Sequence, residues 1–290
     1  MKILIIGASG LVGSNCLRYL SAQNHHCIGT YFSYPAQNTV YYDTLNPDNP
    51  NNIDLEKFSP EVIIHCGALT HVDYCEQHPE ESERLTVQST QNVIEIARKF
   101  SAKLIFISTD YIFDGADGPY GEHATAQPIS IYGQHKWDAE LLIQNSNLNH
   151  LILRITNVYG DEERGKNFVS RIIEQAANQK HLTLKLPIDQ YATPINAYDI
   201  ARAIHLLLND EKTGIYNIAS TDYMNRVQLA LRVLKYFPNA TYDLIPLTTE
   251  EMNPPAARPL QGGLKSSKFL SEYPDFVFST VDDYVGVFRP

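Results

Sequence analysis

The chain has little cysteine, and none of it is placed as a metal or redox motif would place it. Cys16, Cys27, Cys66 and Cys75 form no C-x-x-C pair and no zinc spacing, so reduced, structural thiols are expected and a metal site is not. No apolar stretch reaches transmembrane length, and the opening run Lys2-Ile3-Leu4-Ile5-Ile6 is too short for the core of a secretory signal. Both absences point to a cytoplasmic protein with no membrane partner. Positive charge is also short: 23 Lys and Arg against 33 Asp and Glu leave a formal net charge of -10. That balance argues against nucleic acid or an anionic membrane as the main partner, although a few local cations would suffice for a nucleotide. Internal repeats and low-complexity tracts are missing too. What remains, at 43% hydrophobic and 19% charged residues over 290 positions, is an ordinary globular composition with room for one large or two modest domains.

The opening apolar run stops abruptly at Gly7. Gly7-Ala8-Ser9-Gly10-Leu11-Val12-Gly13 follows, and then a helix-like stretch from Ser14 to Leu20. Strand, glycine turn and helix in that order make a phosphate cradle: the glycines permit a tight turn, and the helix N-terminus offers free N–H groups and a partial positive charge. Gly7, Ser9, Gly10, Leu11, Val12 and Gly13 are therefore expected to hold a dinucleotide. The spacing differs slightly from G-x-G-x-x-G, but the context is the one that fingerprint requires. The next strand, His26 to Tyr31, should end near the adenosine ribose, where a carboxylate would favour NADH. Thr30, Tyr31 and Ser33 are neutral, which leans toward NADPH with NADH as second candidate, although no Arg or Lys stands nearby in sequence. Asp43, after the strand-like Thr39-Val40-Tyr41-Tyr42, is a candidate for the adenine edge.

Strand and helix patterns then alternate. Glu61 to His65 reads as a buried strand ending at Cys66-Gly67-Ala68, Pro79 to Phe100 as a long helix, and Lys103–Ser108 and His150–Ile155 as further buried strands. Such alternation means βαβ units and a parallel sheet, whose ligands gather at the carboxyl ends of the strands. Gly7, Gly67-Ala68, Ser108-Thr109 and Asn157 all fall at such ends. Later segments read as helices over Asn167–Gln179, Asn196–Leu208 and Val227–Tyr236, strands over Leu182–Lys185 and Gly214–Ile218, and a loop from Met252 to Gly263. The expectation is an α/β, Rossmann-type doubly wound parallel sheet with a smaller C-terminal substrate-binding α/β region. Residues 1–158 and about 190–218 would form the dinucleotide-binding domain, and about 159–189 and 219–290 the substrate-binding region.

Chemistry is concentrated in Tyr132 and Lys136. Four residues apart on a helix, a phenol and an ammonium share one face. The ammonium would stabilise the phenolate and bring its proton within reach of an acid–base step.

With these pieces the chain resembles the extended short-chain dehydrogenase/reductase superfamily, and within it the dTDP-4-dehydrorhamnose reductase family, over nearly its full length. Ser108-Thr109-Asp110-Tyr111-Ile112-Phe113-Asp114-Gly115 matches a run distinctive of that group. Ala68-Leu69-Thr70-His71-Val72-Asp73-Tyr74-Cys75-Glu76, Asp189-Gln190 with Pro194, Gly214-Ile215-Tyr216 and Arg258-Pro259 are similar to other landmarks. The resemblance implies a Thr109–Tyr132–Lys136 triad: Tyr132 protonates a sugar C4 carbonyl oxygen as hydride arrives, Thr109 bonds the same oxygen, and Lys136 holds the nicotinamide ribose. Gly67, Ala68 and Thr70 would line the cofactor site. Asp110, Asn157, Asn167, Phe168 and Arg258 would meet the nucleotide-sugar substrate, Arg258 at its pyrophosphate. A homodimer paired through the Tyr–Lys helix is in keeping with the superfamily.

Related sugar dehydratases place a glutamate two residues after the threonine. Here that position is Tyr111, which favours simple reduction. Epimerisation would need a further acid–base group, for which Cys66, His71 and His135 are candidates by type. The family's usual tryptophan beside the sugar is Asn157 here, and the asparagine and serine usual after Arg-Pro are replaced within Leu260-Gln261-Gly262-Gly263. Sugar identity is therefore the open part of the reading. The alternative class is a non-catalytic nucleotide-binding regulatory subunit resembling that of methionine adenosyltransferase.

Overall fold

A computed structural model describes residues 1–178 and 180–288. Its main sheet has seven parallel strands: β1 (Lys2–Ile6), β2 (His26–Tyr31), β3 (Thr39–Tyr41), β4 (Val62–His65), β5 (Lys103–Thr109), β6 (His150–Ile155) and, later in the chain, β9 (Gly214–Asn217). Their order is β3-β2-β1-β4-β5-β6-β9. This is a Rossmann-type doubly wound arrangement, and the direction of winding switches between β1 and β4, where such sheets open a ligand crevice. The central strands are mostly apolar because helices cover both faces.

Alternation along the strands divides the core in two. Ile3, Ile5, Ile105, Ile107, Leu151 and Leu153 pack on one face with helices Leu11–Ala22 and Ala197–Asn209. Leu4, Ile63, Leu104, Phe106 and Ile152 pack on the other with helices Ser89–Phe100 and Ile131–Gln144. A third cluster, including Val169, Ile172, Leu229, Val233, Val281 and Val285, lies in the later part of the chain. That part carries β7 (Leu182–Pro187) paired in parallel with β11 (Tyr242–Leu247), and β8 (Tyr191–Ala192) paired antiparallel with β10 (Met224–Asn225). Among the described residues no helix is long and apolar enough to cross a membrane.

Several elements differ from the sequence expectation. The long helix over Pro79–Phe100 is broken: α-helix holds at Pro79–Glu83 and Ser89–Phe100, with a π-helical turn at Arg84–Gln88 between them. Thr90 Oγ1 donates to the Thr86 carbonyl at 2.6 Å there, a side-chain bond of the kind that perturbs helical ladders. The helix expected over Asn167–Gln179 runs Phe168–Ala177, with Asn167 as its cap; Gln179 lies outside the described residues. Strand β11 has no counterpart in the reading, since Pro246 and Asp243 mask its pattern, and a Pro is tolerated there at a sheet edge.

Candidate active site

The site is built at the carboxyl ends of β1, β2, β4, β5 and β6, around a cavity of about 810 Å³. Its floor at one end is the glycine turn. Gly7 has φ +81°, and a Cβ there would stand 2.9 Å from the Gly67 nitrogen; one on Gly13 would stand 2.4 Å from the Gly7 carbonyl oxygen. Only glycine lets helix Leu11–Ala22 sit this close, with Gly10 as its N-cap. Ser9, Gly10, Leu11, Val12 and Gly13 line the cavity beside Gly67, Ala68 and Thr70, and its end nearest β2 and β3 is walled by Thr30, Ser33 and Asp43. Asp43 Oδ1 accepts from the Leu45 amide at 2.9 Å.

At the other end lie Thr109, Tyr132 and Lys136. Ser130 caps the helix bearing the last two by accepting from the Gly133 amide at 3.2 Å. A Cβ on Gly133 would stand 2.2 Å from the Tyr111 carbonyl oxygen, so the residue between tyrosine and lysine must be small for this helix to dock on the turn after β5. Lys136 is 3% exposed. Its Nζ donates to the Ile107 carbonyl at 2.5 Å and lies 3.9 Å from the centre of the Phe106 ring. Burial pushes its pKa down to about 7. No carboxylate forms an ion pair with it among the described residues, so N–H donors remain for a ligand's hydroxyls, as a ribose would require.

Tyr132 departs from the expected electrostatics. Burial pushes its phenol well above the ordinary tyrosine range, and a hydrogen bond from Thr109 offsets this only in part. The Lys136 charge does not hold the phenol down in this arrangement. A phenol raised in this way stays protonated at neutral pH but is a weaker acid than an ordinary tyrosine.

Most residues expected to meet substrate are present, but not all face the cavity. Asn157 and Asn167 line it, as does Asp110. Asp110 is buried, and its Oδ2 is taken by Thr156 Oγ1 at 2.6 Å and the Gly263 amide at 3.0 Å; burial raises its pKa. Its carboxylate thus ties β5, β6 and the 262–263 turn together. Arg258 and Phe168 are placed otherwise than expected. Arg258 pairs with Asp73 at 2.6 Å, and Phe168 packs in the third cluster under Arg226; neither side chain lines the cavity. Of the candidates for a second acid–base group, Cys66 and His71 line the cavity, but His71 Nδ1 caps helix Val72–Gln77 by accepting from Tyr74. His135 instead bonds Ser82.

Sequence reasoning missed two guanidinium groups that do line the cavity, Arg226 and Arg164. Arg226 begins helix Arg226–Leu234; its Nη2 donates to Asn157 Oδ1 at 2.5 Å, and its guanidinium lies 5.1 Å from the Phe168 ring centre. No local motif marks either residue, because both reach the site from elements distant in sequence.

Fold and site together define a Rossmann-type protein whose glycine turn and Thr–Tyr–Lys group line one cavity. The family model described as RmlD substrate binding domain matches residues 1–277, and the chain belongs to that family. Among solved structures, a dTDP-4-dehydrorhamnose reductase ortholog from Clostridium acetobutylicum is 28% identical, with a TM-score of 0.85 and 100% of both chains covered. The Bacillus anthracis dTDP-4-dehydrorhamnose reductase in complex with NADP is 25% identical at the same TM-score of 0.85, covering 99% of each chain. Two curated relatives carry different kinds of name. Methionine adenosyltransferase 2 subunit beta of Bos taurus is 27% identical over 252 residues, 85% of this chain and 75% of that protein. The probable low-salt glycan biosynthesis reductase Agl14 of Haloferax volcanii is 28% identical over 278 residues, 94% of this chain and 92% of that protein.

Proposed function

We propose that this protein is an NADPH-dependent reductase of the 4-keto group of a nucleotide-activated deoxysugar. The observation that carries the reading is that Thr109, Tyr132 and Lys136 meet at one end of the cavity whose other end is the Gly7–Gly13 turn. The relatives named as dTDP-4-dehydrorhamnose reductases support the substrate class. The nicotinamide would supply the hydride. Tyr132 donates its proton to the carbonyl oxygen, so that hydride on carbon and proton on oxygen complete the alcohol. Thr109 Oγ1 accepts from the Tyr111 amide at 3.2 Å and donates to Asp110 Oδ1 at a long 3.4 Å; with substrate bound it would turn that proton to the carbonyl oxygen. Lys136 holds ribose hydroxyls with the donors left over from Ile107. Arg226, which lines the cavity where Arg258 does not, would meet the substrate's diphosphate.

Replacing Tyr132 by Phe tests this directly. NADPH oxidation with dTDP-4-dehydrorhamnose or a related ketosugar nucleotide should fall by at least about a hundredfold, the scale of a lost general acid, while NADPH binding measured by calorimetry persists. Near-normal turnover by that variant would remove Tyr132 from the chemistry. The relatives named as a methionine adenosyltransferase subunit support a second reading, a nucleotide-binding regulatory partner. Association with a methionine adenosyltransferase catalytic subunit, together with no NADPH oxidation by any ketosugar nucleotide, would favour it.

A further inference from the structure

The adenosine ribose is expected at the end of β2, where Thr30, Tyr31 and Ser33 carry no charge and sequence offers no neighbouring cation. In the fold that end is not bare. The segment after Gly160 crosses over from the later part of the chain and is pegged down along its length. Asn15 Nδ2 donates to the Asp161 carbonyl at 2.9 Å, the Gln37 amide donates to Glu163 Oε2 at 3.1 Å, and Asn167 Nδ2 donates to Glu162 Oε1 at 2.9 Å. The two glutamates just before Arg164, Glu162 and Glu163, are thereby engaged elsewhere.

Arg164 lays its guanidinium over the Tyr34 ring, 5.0 Å from the centroid, beside Thr30 and Ser33 in the cavity wall. Among the described residues no carboxylate forms an ion pair with it, and its Nε is enclosed with no hydrogen-bond partner. An enclosed charged donor without an acceptor is costly unless a ligand supplies one. A guanidinium stacked on an aromatic ring keeps its edge N–H groups free and fixed in a fork that matches a phosphate.

We propose that Arg164 recognises the 2′-phosphate of NADPH, reaching the end of β2 across the cavity from the segment after Gly160. The inference rests on the nicotinamide-cofactor reading above and names how that site chooses between NADPH and NADH.

Calorimetric titration of the full chain with NADP+, NAD+ and 2′,5′-ADP tests it, alongside Arg164→Gln and Arg164→Lys. The wild type should bind NADP+ more tightly than NAD+. R164Q should lose about tenfold or more in affinity for NADP+ and 2′,5′-ADP, the scale of a hydrogen bond to a charged group, with NAD+ affinity unchanged. R164K, which keeps the charge but not the fork, should fall between. Equal losses for NADP+ and NAD+, or an R164Q variant that binds NADP+ as the wild type does, would overturn the assignment while leaving cofactor binding intact. A wild type that binds NAD+ at least as tightly as NADP+ would overturn the assignment alone, and one that binds neither would overturn the cofactor reading with it.

Discussion

Tyr111 meets Tyr132 edge to face, with ring centres 5.5 Å apart and planes at 73°. The second residue after Thr109 is therefore an aromatic ring set against Tyr132, at the position where related dehydratases have a glutamate. Burial raises the Tyr111 phenol above its ordinary range, so it stays protonated at neutral pH and cannot serve as the base for removing a proton beside the ketone. The expected outcome is reduction alone. With a 4-ketosugar nucleotide, NMR of the products should show one alcohol formed per NADPH consumed and no dehydrated or epimerised sugar. Tyr111→Phe keeps the edge contact and should keep turnover. Tyr111→Ala should cost up to about tenfold in kcat, since such ring pairs are worth about 0.5–1.5 kcal/mol.

Lys136 gives the site a pH dependence whose sign follows from burial. Its pKa is depressed to about 7 in the fold, against about 10.4 in an unfolded chain. Between those values the unfolded state binds the extra proton, so stability of the free protein rises with pH across that window. Lys136→Met should flatten this rise in thermal unfolding and raise Tm below pH 7. Cofactor binding runs the opposite way if the ammonium form grips the ribose. Affinity for NADH, which has no 2′-phosphate to titrate, should weaken above about pH 7 in the wild type and lose that dependence in K136M. An NADH affinity flat from pH 6 to 9 would separate Lys136 from ribose binding.

The legible part of this protein was the part written in local pattern. β1, β4, β5 and β6 are buried on both faces and so appear as continuous apolar runs, and the Gly7 turn announces itself because close backbone approach admits nothing but glycine. That Tyr132 and Lys136 lie on one helix and both line the cavity was readable for the same reason, through helical spacing. Arg226 and Arg164 were not, because their roles depend on where distant segments dock. Arg258 shows the converse. Its Arg-Pro context is a family landmark, yet Asp73, in the first turn of helix Val72–Gln77, captures the guanidinium at 2.6 Å. The Tyr132 pKa also escaped, since residue spacing registers a neighbouring ammonium but not the surrounding burial that outweighs it.

Beneath the Tyr132–Lys136 helix face, Glu140 and Arg154 form a pair with side chains 0% and 2% exposed and 2.7 Å apart. Ser108 Oγ donates to the same carboxylate at 2.5 Å, and Arg154 also donates to the Glu122 carbonyl at 3.1 Å. The pair joins the Tyr132–Lys136 helix to β6, with Ser108 attaching β5. Removing one partner strands a buried charge, so Glu140→Gln should lower stability by about 3–5 kcal/mol in denaturant unfolding. A Glu140→Leu/Arg154→Met double variant should recover much of that, since neither charge remains to be desolvated. A double variant no more stable than either single variant would mean that the network's hydrogen bonds, and not the stranded charge, account for the loss.

Arg226 supplies the sharpest test of how the substrate is held. Its guanidinium lines the cavity, fixed by Asn157 Oδ1 at 2.5 Å and by the Phe168 face, with no ion-pair partner among the described residues. Asn157 itself adopts φ +43°, a left-handed conformation that asparagine tolerates better than most residues, and this sets its amide toward the arginine. Where the family usually has a tryptophan beside the sugar, this chain thus offers an amide backed by a cation. Arg226→Ala should raise KM for the sugar nucleotide by about tenfold or more, the scale of a charge-assisted bond to a phosphate, with the NADPH dissociation constant unchanged. Arg226→Lys keeps the charge without the planar stack on Phe168 and should recover only part of the loss. If R226A instead lowered kcat at unchanged KM, the arginine would be acting on the reacting carbonyl through Asn157 and not on the substrate's diphosphate.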